Sequence, residues 1–582
     1  MTTKISKFLT FGLVCCASCA ALTSCMKDLD DGNIDPNVQA EPNITALYSK
    51  CYAGLIMEGN DGGADFTIDD AGKSTLLRNI FNFNELPTDE AICWWSDGGI
   101  VDIGFNKCMP GTASLRFLYY RLVSNISYCN HYMELSQAQE DKTMLAEVRF
   151  IRAFNYYQML DFFGDPPFTT AISSETPRQA HTYNEKFVEG QEYSRAELLA
   201  MGREFLFNWI KSELEAAEAD MLEPKAKTDT DPDYGRADKA AVWTLLGRLY
   251  LNAGTYLNND GQNNPYWAQV LEYAQRVISS GYSLFDDSKM PQAAKANGYQ
   301  PYDLLFMGDN GSSGASCEAI LPLLQDGKKT KGWGGSLFFV AAMWNSSMST
   351  VVGLDAGTTG NNWSGMRCRP QLIEKFTNNP ASFVGKTTAD IRALGIDDRA
   401  LFWGLGSGND KRTLDLGDNS NFFQGIVTTK WNNNYSNGGT PHDTYDVDID
   451  FFLFRTAEAY LNAAEAALHL GNASVAKECI DKLRNRAHAV TKTSYTLQDV
   501  LDERAREFYF EGQRRVDLIR FNKFGGTPSE YGSSESPYVW DYKGGFPNGG
   551  TFDKTRNLFP LPSSEVLANK NLTQIDGYNE AD

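Results

Sequence analysis

The chain has 582 residues and a formal net charge of −21, and a polyanion of that strength repels nucleic acid and anionic lipid, so neither is an expected partner. Length sets a soft prior of several average domains. Aromatic residues at 12% together with 50 glycines point to packed rings and long ordered loops rather than disorder.

Lys4 and Lys7 precede a mostly apolar run over residues 8–22, the layout of a secretory signal peptide. The run is shorter than the roughly 20 apolar residues a spanning helix needs. It ends in Leu22-Thr23-Ser24-Cys25, which resembles the lipobox of bacterial lipoproteins. Small residues suit a narrow protease groove, and only the thiol of Cys25 can form the thioether to a diacylglycerol. The plain alternative is an ordinary signal peptide with a chance cysteine. Several acyl chains, at about 0.8 kcal/mol per buried methylene, would make an anchor that hardly dissociates. The expected layout is a signal peptide over residues 1–24 and one mature unit over 25–582, whose net charge is −23 because only Lys4 and Lys7 are lost. Lys27-Asp28-Leu29-Asp30-Asp31 reads as an acidic leader of the kind that sends Bacteroidetes lipoproteins to the cell exterior, or simply as a solvated linker. The mature chain keeps Cys51, Cys93, Cys108, Cys129, Cys317, Cys368 and Cys479 beyond Cys25, with no CxxC. Their odd number leaves at least one thiol free, and zinc is not expected.

Helical patterns gather in two blocks. The first covers residues 116–281, with predicted helices over 144–163, 205–221, 237–252 and 266–280; Gly164-Asp165-Pro166-Pro167 and Gly281 supply stops. The second covers 454–524, with helices over 454–470, 473–489 and 497–515. Two stretches, 237–280 and 456–486, read as tetratricopeptide-like helix pairs with small residues such as Ala240, Ala241, Gly247, Ala463 and Ala467 where neighbours touch. The fold class is therefore mainly α, a helix-pair scaffold. Between the blocks, residues 284–450 are rich in Gly, Asn and aromatics, a loop-rich part suited to carry a ligand surface on a rigid scaffold.

An enzyme reading finds no support. The five histidines are scattered, no GxSxG elbow or Walker loop occurs, and Gly404-Leu405-Gly406-Ser407-Gly408 lacks GxGxxG spacing. Acid pairs are too numerous for any one to be singled out as catalytic. Asp229-x-Asp231-x-Asp233 and Asp446-x-Asp448-x-Asp450 alternate as calcium loops begin, yet neither continues with the Gly and distant Glu of an EF-hand. Solvated turn or strand alternation is the preferred reading, with no cofactor assigned and a structural calcium ion an unsupported alternative. Tryptophans on loops carry the stronger signal. An indole covers the C–H face of a pyranose and leaves its hydroxyls free to hydrogen bond. Trp94-Trp95 precede Ser96-Asp97-Gly98-Gly99, Trp333 stands between glycines, and Trp363 follows two asparagines. A tryptophan taken singly is more often core.

Four stretches together resemble the SusD/RagB family of nutrient-binding lipoproteins: Ala146-Glu147-Val148-Arg149 through Gly164-Asp165-Pro166-Pro167; Phe454-Arg455-Thr456-Ala457-Glu458-Ala459; Glu507 through Glu511-Gly512-Gln513-Arg514-Arg515 to Phe521; and Leu558-Phe559-Pro560-Leu561-Pro562. The resemblance implies a helical body of tetratricopeptide-like pairs and an irregular ligand-binding part. It also implies surface exposure on the outer membrane and a SusC-like TonB-dependent transporter as partner. The stretches 81–90, 325–336 and 357–363 are similar to the family's founding starch-binding member. There three rings cradle an α-1,4-glucan, and their matches here are Trp95, Trp333 and Trp363, with Tyr at the position of Trp333. Arg78 matches a guanidinium that hydrogen-bonds sugar hydroxyls. A hydrogen-bonding Asn of that member falls at Gly98, with Asp97 beside it as a substitute, which keeps other glycans such as dextran, or peptides, open as cargo. A glycosidase is the remote alternative. The expected site is Arg78, Trp95, Asp97, Trp333 and Trp363, with no catalytic residue and no metal.

Overall fold

A computed structural model describes residues 43–59, 65–344, 348, 357–358, 361–406 and 411–579. The signal segment and Cys25 lie outside them. The chain falls into two compact units, Met1–Ser49 and Lys50–Asp582. The described end of the first unit opens the helix Ile44–Ala53; all that follows concerns the second.

That unit is mainly helical, as its sequence pattern predicts, and its few strands form two-stranded ladders. The principal helices are α1 (Leu76–Glu85), α2 (Ala113–Glu134), α3 (Lys142–Phe163), α4 (Arg195–Glu218), α5 (Lys239–Leu251), α6 (Trp267–Ile278), α7 (Thr456–His469), α8 (Ala473–Arg486), α9 (Leu497–Phe508) and α10 (Arg514–Arg520). Side-chain caps explain their starts. Asp141 accepts from the Met144 amide at 2.9 Å, and Ser194 with Glu197 forms a reciprocal box at the head of α4. That box extends α4 ten residues upstream of the helix predicted from apolar spacing. Helix α3 is buried on nearly every side from Ala146 onward rather than amphipathic, so it forms the axis of the first block, between α2 and α4. Gly164, at φ 73°, ends it.

The two predicted repeat-like pairs form. Helix α5 packs on α6 and α7 on α8, while α6 also packs on α7, so the pairs stack into one scaffold. Gly247 lies where the three helices approach, a Cβ there standing 3.9 Å from Tyr273 of α6 and 4.0 Å from Asn462 of α7. The helix predicted over 497–515 is two helices. The chain breaks at Phe510 (φ 61°) and Gly512 (φ 81°) before α10 restarts. The predicted start of α7 at Phe454 belongs instead to a strand, Phe451–Arg455, paired antiparallel with Ala319–Leu323.

The turn between α9 and α10 is fastened by buried ions. Arg455 bonds Glu511 at 2.8 Å and Glu318 at 3.0 Å, and Glu507 accepts from Arg399, Arg455 and Arg486. Arg514 forks onto Asp89 at 2.7 and 2.8 Å, Arg515 reaches Asp161 at 2.7 Å, and Arg520 binds Glu465 and Asp517 at 2.7 Å. Such pairs offset the cost of withdrawing each charge from water. Burial alone would raise Glu503, but Arg399, Arg506 and Arg484 hold it down at about 2.

The second aspartate run is not solvated. Asp448 and Asp450 are buried just before the strand Phe451–Arg455; Asp450 accepts from the Gln325 amide (2.9 Å) and the Tyr234 hydroxyl (2.8 Å), and burial pushes it up to about 7. The seven mature-chain cysteines other than Cys25 are all free thiols, and all but Cys317 are buried. Among the described residues no helix is long and apolar enough to cross a membrane.

Candidate functional site

Three loops bring their tryptophans together. A three-residue antiparallel ladder, β1 (Ala91–Cys93) with β2 (Met366–Cys368), pairs Cys93 with Met366, so Trp95 and Trp363 leave its same end. Their ring centroids lie 6.2 Å apart with planes at 65°. Trp333 joins from the loop before the short helix Ser336–Ala341, 6.3 Å from Trp363 with planes at 34°. Trp95 and Trp363 are half-buried; Trp333 is 41% exposed. The rings thus form a series with Trp363 in the middle, each plane turned from the last.

Each loop is held by specific contacts. The Trp333 and Gly334 amides both donate to the Glu58 carboxylate, the latter at 3.1 Å, and Thr75 donates to the Gly334 carbonyl at 2.8 Å. Burial raises Glu58 from the usual carboxylate range, against the pull of those two amides. Glycines make the approach feasible: a Cβ at Gly72 would stand 2.6 Å from that of Trp333, and one at Gly334 would stand 2.2 Å from the Gly72 carbonyl. The Trp363 amide donates to Ala341 at 2.8 Å, and the Ser364 amide to Ala341 and Trp344 at 3.0 and 2.9 Å. Asp326 accepts from the amides of Lys328, Lys329 and Thr330 at 2.7–3.0 Å and closes the turn that leads to Trp333.

Beneath the rings lies a cation. Arg78, on α1, is 4% exposed, with its guanidinium carbon 5.5 Å from the Trp95 ring and 4.9 Å from the fully buried Phe338. Burial pulls its pKa down, opposed chiefly by Asp97. The guanidinium that the resemblance offers to sugar hydroxyls is therefore largely covered, and it supports the indole more than it lines open surface. Asp97 is partly exposed and bonds Lys73 at 3.1 Å and Arg78 at 3.4 Å. Burial would lower Lys73, but Asp97 and Asp69 outweigh it and hold the ammonium up.

The adjacent Trp94 takes no part in the series. It lies 6.1 Å from Phe105, which stacks on Tyr542, as expected when neighbours on an extended segment face opposite ways. Residues that the sequence reading did not single out complete the site. Tyr445, 44% exposed, stands edge-on to Trp333 at 5.8 Å, and its carbonyl accepts from buried Asn361 at 2.6 Å. Glu58, Lys73 and Phe338 had no motif to mark them. Tyr445 had one weak sign, the one Phe, Tyr or Trp in the polar stretch 436–446.

Comparison with known proteins places this geometry in context. Residues 397–578 match the profile described as the SusD family. The chain is 34% identical to the starch-binding protein SusD of Bacteroides thetaiotaomicron, over 99% of this chain and 100% of that protein. Among solved structures, it is similar to a SusD-like carbohydrate-binding protein from Bacteroides fragilis, with a TM-score of 0.62 at 17% identity over 91% of this chain and 98% of that one. It is also similar to surface glycan-binding protein A from Bacteroides uniformis, with a TM-score of 0.59 at 19% identity and the same coverage.

Proposed function

The chain belongs to the SusD family, and from that premise we propose that it is a glycan-binding protein that captures a starch-like α-glucan on Trp95, Trp363 and Trp333. The observation that carries this reading is the convergence of three indoles from separate loops, at centroid spacings of 6.2 and 6.3 Å and with planes inclined by 65° and 34°. A helical α-1,4-glucan is curved, and successive pyranoses present C–H faces along that curve, which a fan of indoles matches better than a flat platform would. The rings supply buried area, and the polar rim of Asp97, Lys73 and the Tyr445 hydroxyl fixes orientation. Asp97, beside Gly98, substitutes for the asparagine of the starch-binding member. Its carboxylate is held by two cations, and both oxygens retain lone pairs for sugar hydroxyls.

No step is hydrolytic in this reading. A shallow open shelf binds at roughly micromolar to millimolar strength, which suits a carrier that must release its cargo, and many copies on one surface add avidity. Anchored by acyl groups at Cys25 on the outer face of the outer membrane, the protein hands its oligosaccharide to a SusC-like TonB-dependent transporter.

Affinity electrophoresis on starch, pullulan, dextran and a β-glucan tests the assignment. Retardation by starch and pullulan, lost when Trp333 and Trp363 are both replaced by Ala, is the expected result. Retardation by dextran alone would transfer the shelf to another linkage, and unchanged mobility of the double variant would refute the site. Release of reducing ends from maltooligosaccharide would reveal a glycosidase instead.

A further inference from the structure

Most buried arginines in this protein follow a rule, with Arg78 held only loosely by Asp97 at 3.4 Å. Arg121, Arg399, Arg455, Arg514, Arg515 and Arg520 each have a carboxylate at 2.5–2.7 Å. Arg367, Arg369 and Arg412, which lack one, bond carbonyl oxygens at 2.7–3.2 Å. Arg203 does neither. It is 4% exposed, and among the described residues no acid lies within ion-pair distance. Its two hydrogen bonds, to the Thr255 carbonyl and Asn259 Oδ1, are long at 3.5 and 3.4 Å, and its Nε has no partner.

The uncompensated charge faces a cavity of about 350 Å3, between α4, the short helix Ala253–Asn258 and residues 553–558. Lys554 lines the same space without an acid within 4 Å among the described residues, its ammonium 4.2 Å over the Tyr531 ring. Burial lowers both cations, Arg203 to about 10, and outweighs the pull of Tyr256 and Asp161 on Arg203 and of Asp260 and Glu530 on Lys554. The floor is thus cationic. The acids that line the same space lie toward its rim, Glu530 and Asp553 exposed and Asp576 half-buried, and Leu199, Leu257 and Leu558 line it as well. None of these residues belongs to the tryptophan shelf.

A simple anion would satisfy the floor and be repelled at the rim; a simple cation would do the reverse. We propose that the cavity is a binding site for a small apolar zwitterion, a free α-amino acid, with its carboxylate on Arg203 and Lys554 and its ammonium toward Asp553 and Asp576. The volume lies at the small end for ligand sites. A carboxylate forked onto Arg203 would supply the partner that every other buried arginine named above already has or replaces with short carbonyl bonds.

Calorimetric titration of the full-length protein with L-leucine, leucinamide and N-acetyl-L-leucine tests this. Leucine should bind, and each analogue, lacking one of the two charges, should bind at least about tenfold more weakly. Arg203→Gln and Lys554→Gln should each weaken leucine binding while leaving retardation by starch unchanged; the half-buried Lys554 variant carries the test if the Arg203 variant does not fold. No heat with leucine, or equal affinity for either analogue, overturns the proposal. The starch readout keeps that failure separate from failure of the glucan shelf.

Discussion

The indole Nε1 of Trp95 donates a 2.8 Å hydrogen bond to the carbonyl of Ser364, the residue after Trp363. One ring of the series therefore fixes the backbone that presents the next. Ser364 holds φ at 58°, a strained value for a non-glycine residue, and its own amide is tied to Ala341 and Trp344. The pair behaves as one unit, so their substitutions will not be additive.

Replacing Trp363 by Ala removes the middle ring and should weaken binding of maltoheptaose by tenfold or more, about 1.4 kcal/mol, as read by calorimetry. Trp95→Ala should cost at least as much, because it also frees the Ser364 carbonyl. The double variant should lose less than the sum of the two.

Gly365→Ala tests the geometry without removing a ring. The new Cβ would stand 2.1 Å from Trp95 Nε1, on a backbone whose φ of 101° suits only glycine. The expected outcome is a folded protein by circular dichroism with glucan affinity reduced to the level of Trp95→Ala. Wild-type affinity would show that the tilt between the rings is unimportant.

Glu507 accepts from three buried guanidinium groups, which overcome its burial and hold it well below the usual carboxylate range. Glu507→Leu would leave three buried cations short of a partner and should destabilise the fold by about 3–5 kcal/mol in denaturant titration. A loss within about 0.5 kcal/mol would show that the remaining acids suffice.

Glu85 and Glu90 form a buried acid pair linked by a hydrogen bond. Burial pushes Glu85 up to about 7 from an ordinary value of 4.5, and burial with the Glu85 charge raises Glu90 further. The folded state thus holds protons that the unfolded chain releases. Their contribution to stability is complete below the ordinary carboxylate value; that of Glu85 is lost as pH rises through about 7, and that of Glu90 higher still. Glu90→Gln keeps a donor toward Glu85 and removes one proton from the cycle. Its melting temperature should fall less than that of the wild type between about pH 5 and about pH 9, and parallel curves would refute the shared proton.

The helical scaffold was legible because its signals are local. Spacing of apolar residues located α3, α5, α6, α7 and α8 to within a few residues, and small residues marked where pairs touch. The errors have particular causes. The head of α4 depended on the Ser194–Glu197 box rather than on apolar spacing, and the break between α9 and α10 depended on Phe510 and Gly512 adopting positive φ under long-range ion pairs. Of the site, Trp333 and Trp363 stood out by their Gly and Asn neighbours. Their meeting with Trp95, which lies 238 and 268 residues earlier along the chain, came only from family resemblance. Glu58 and Lys73 illustrate what patterns miss, since the charge of each matters only through contacts made after folding. Arg203 is the extreme case, unremarkable in sequence and conspicuous only beside the buried arginines that hold a carboxylate or short carbonyl bonds.

Two indoles depart from a shared three-rung ladder, whereas the third hangs from a separate turn hooked to Glu58. Inheritance can therefore act on the two parts independently. A lineage could lengthen, tilt or replace the Trp333 turn and change its diet while the ladder-borne pair and the helices behind it pass unaltered to its descendants.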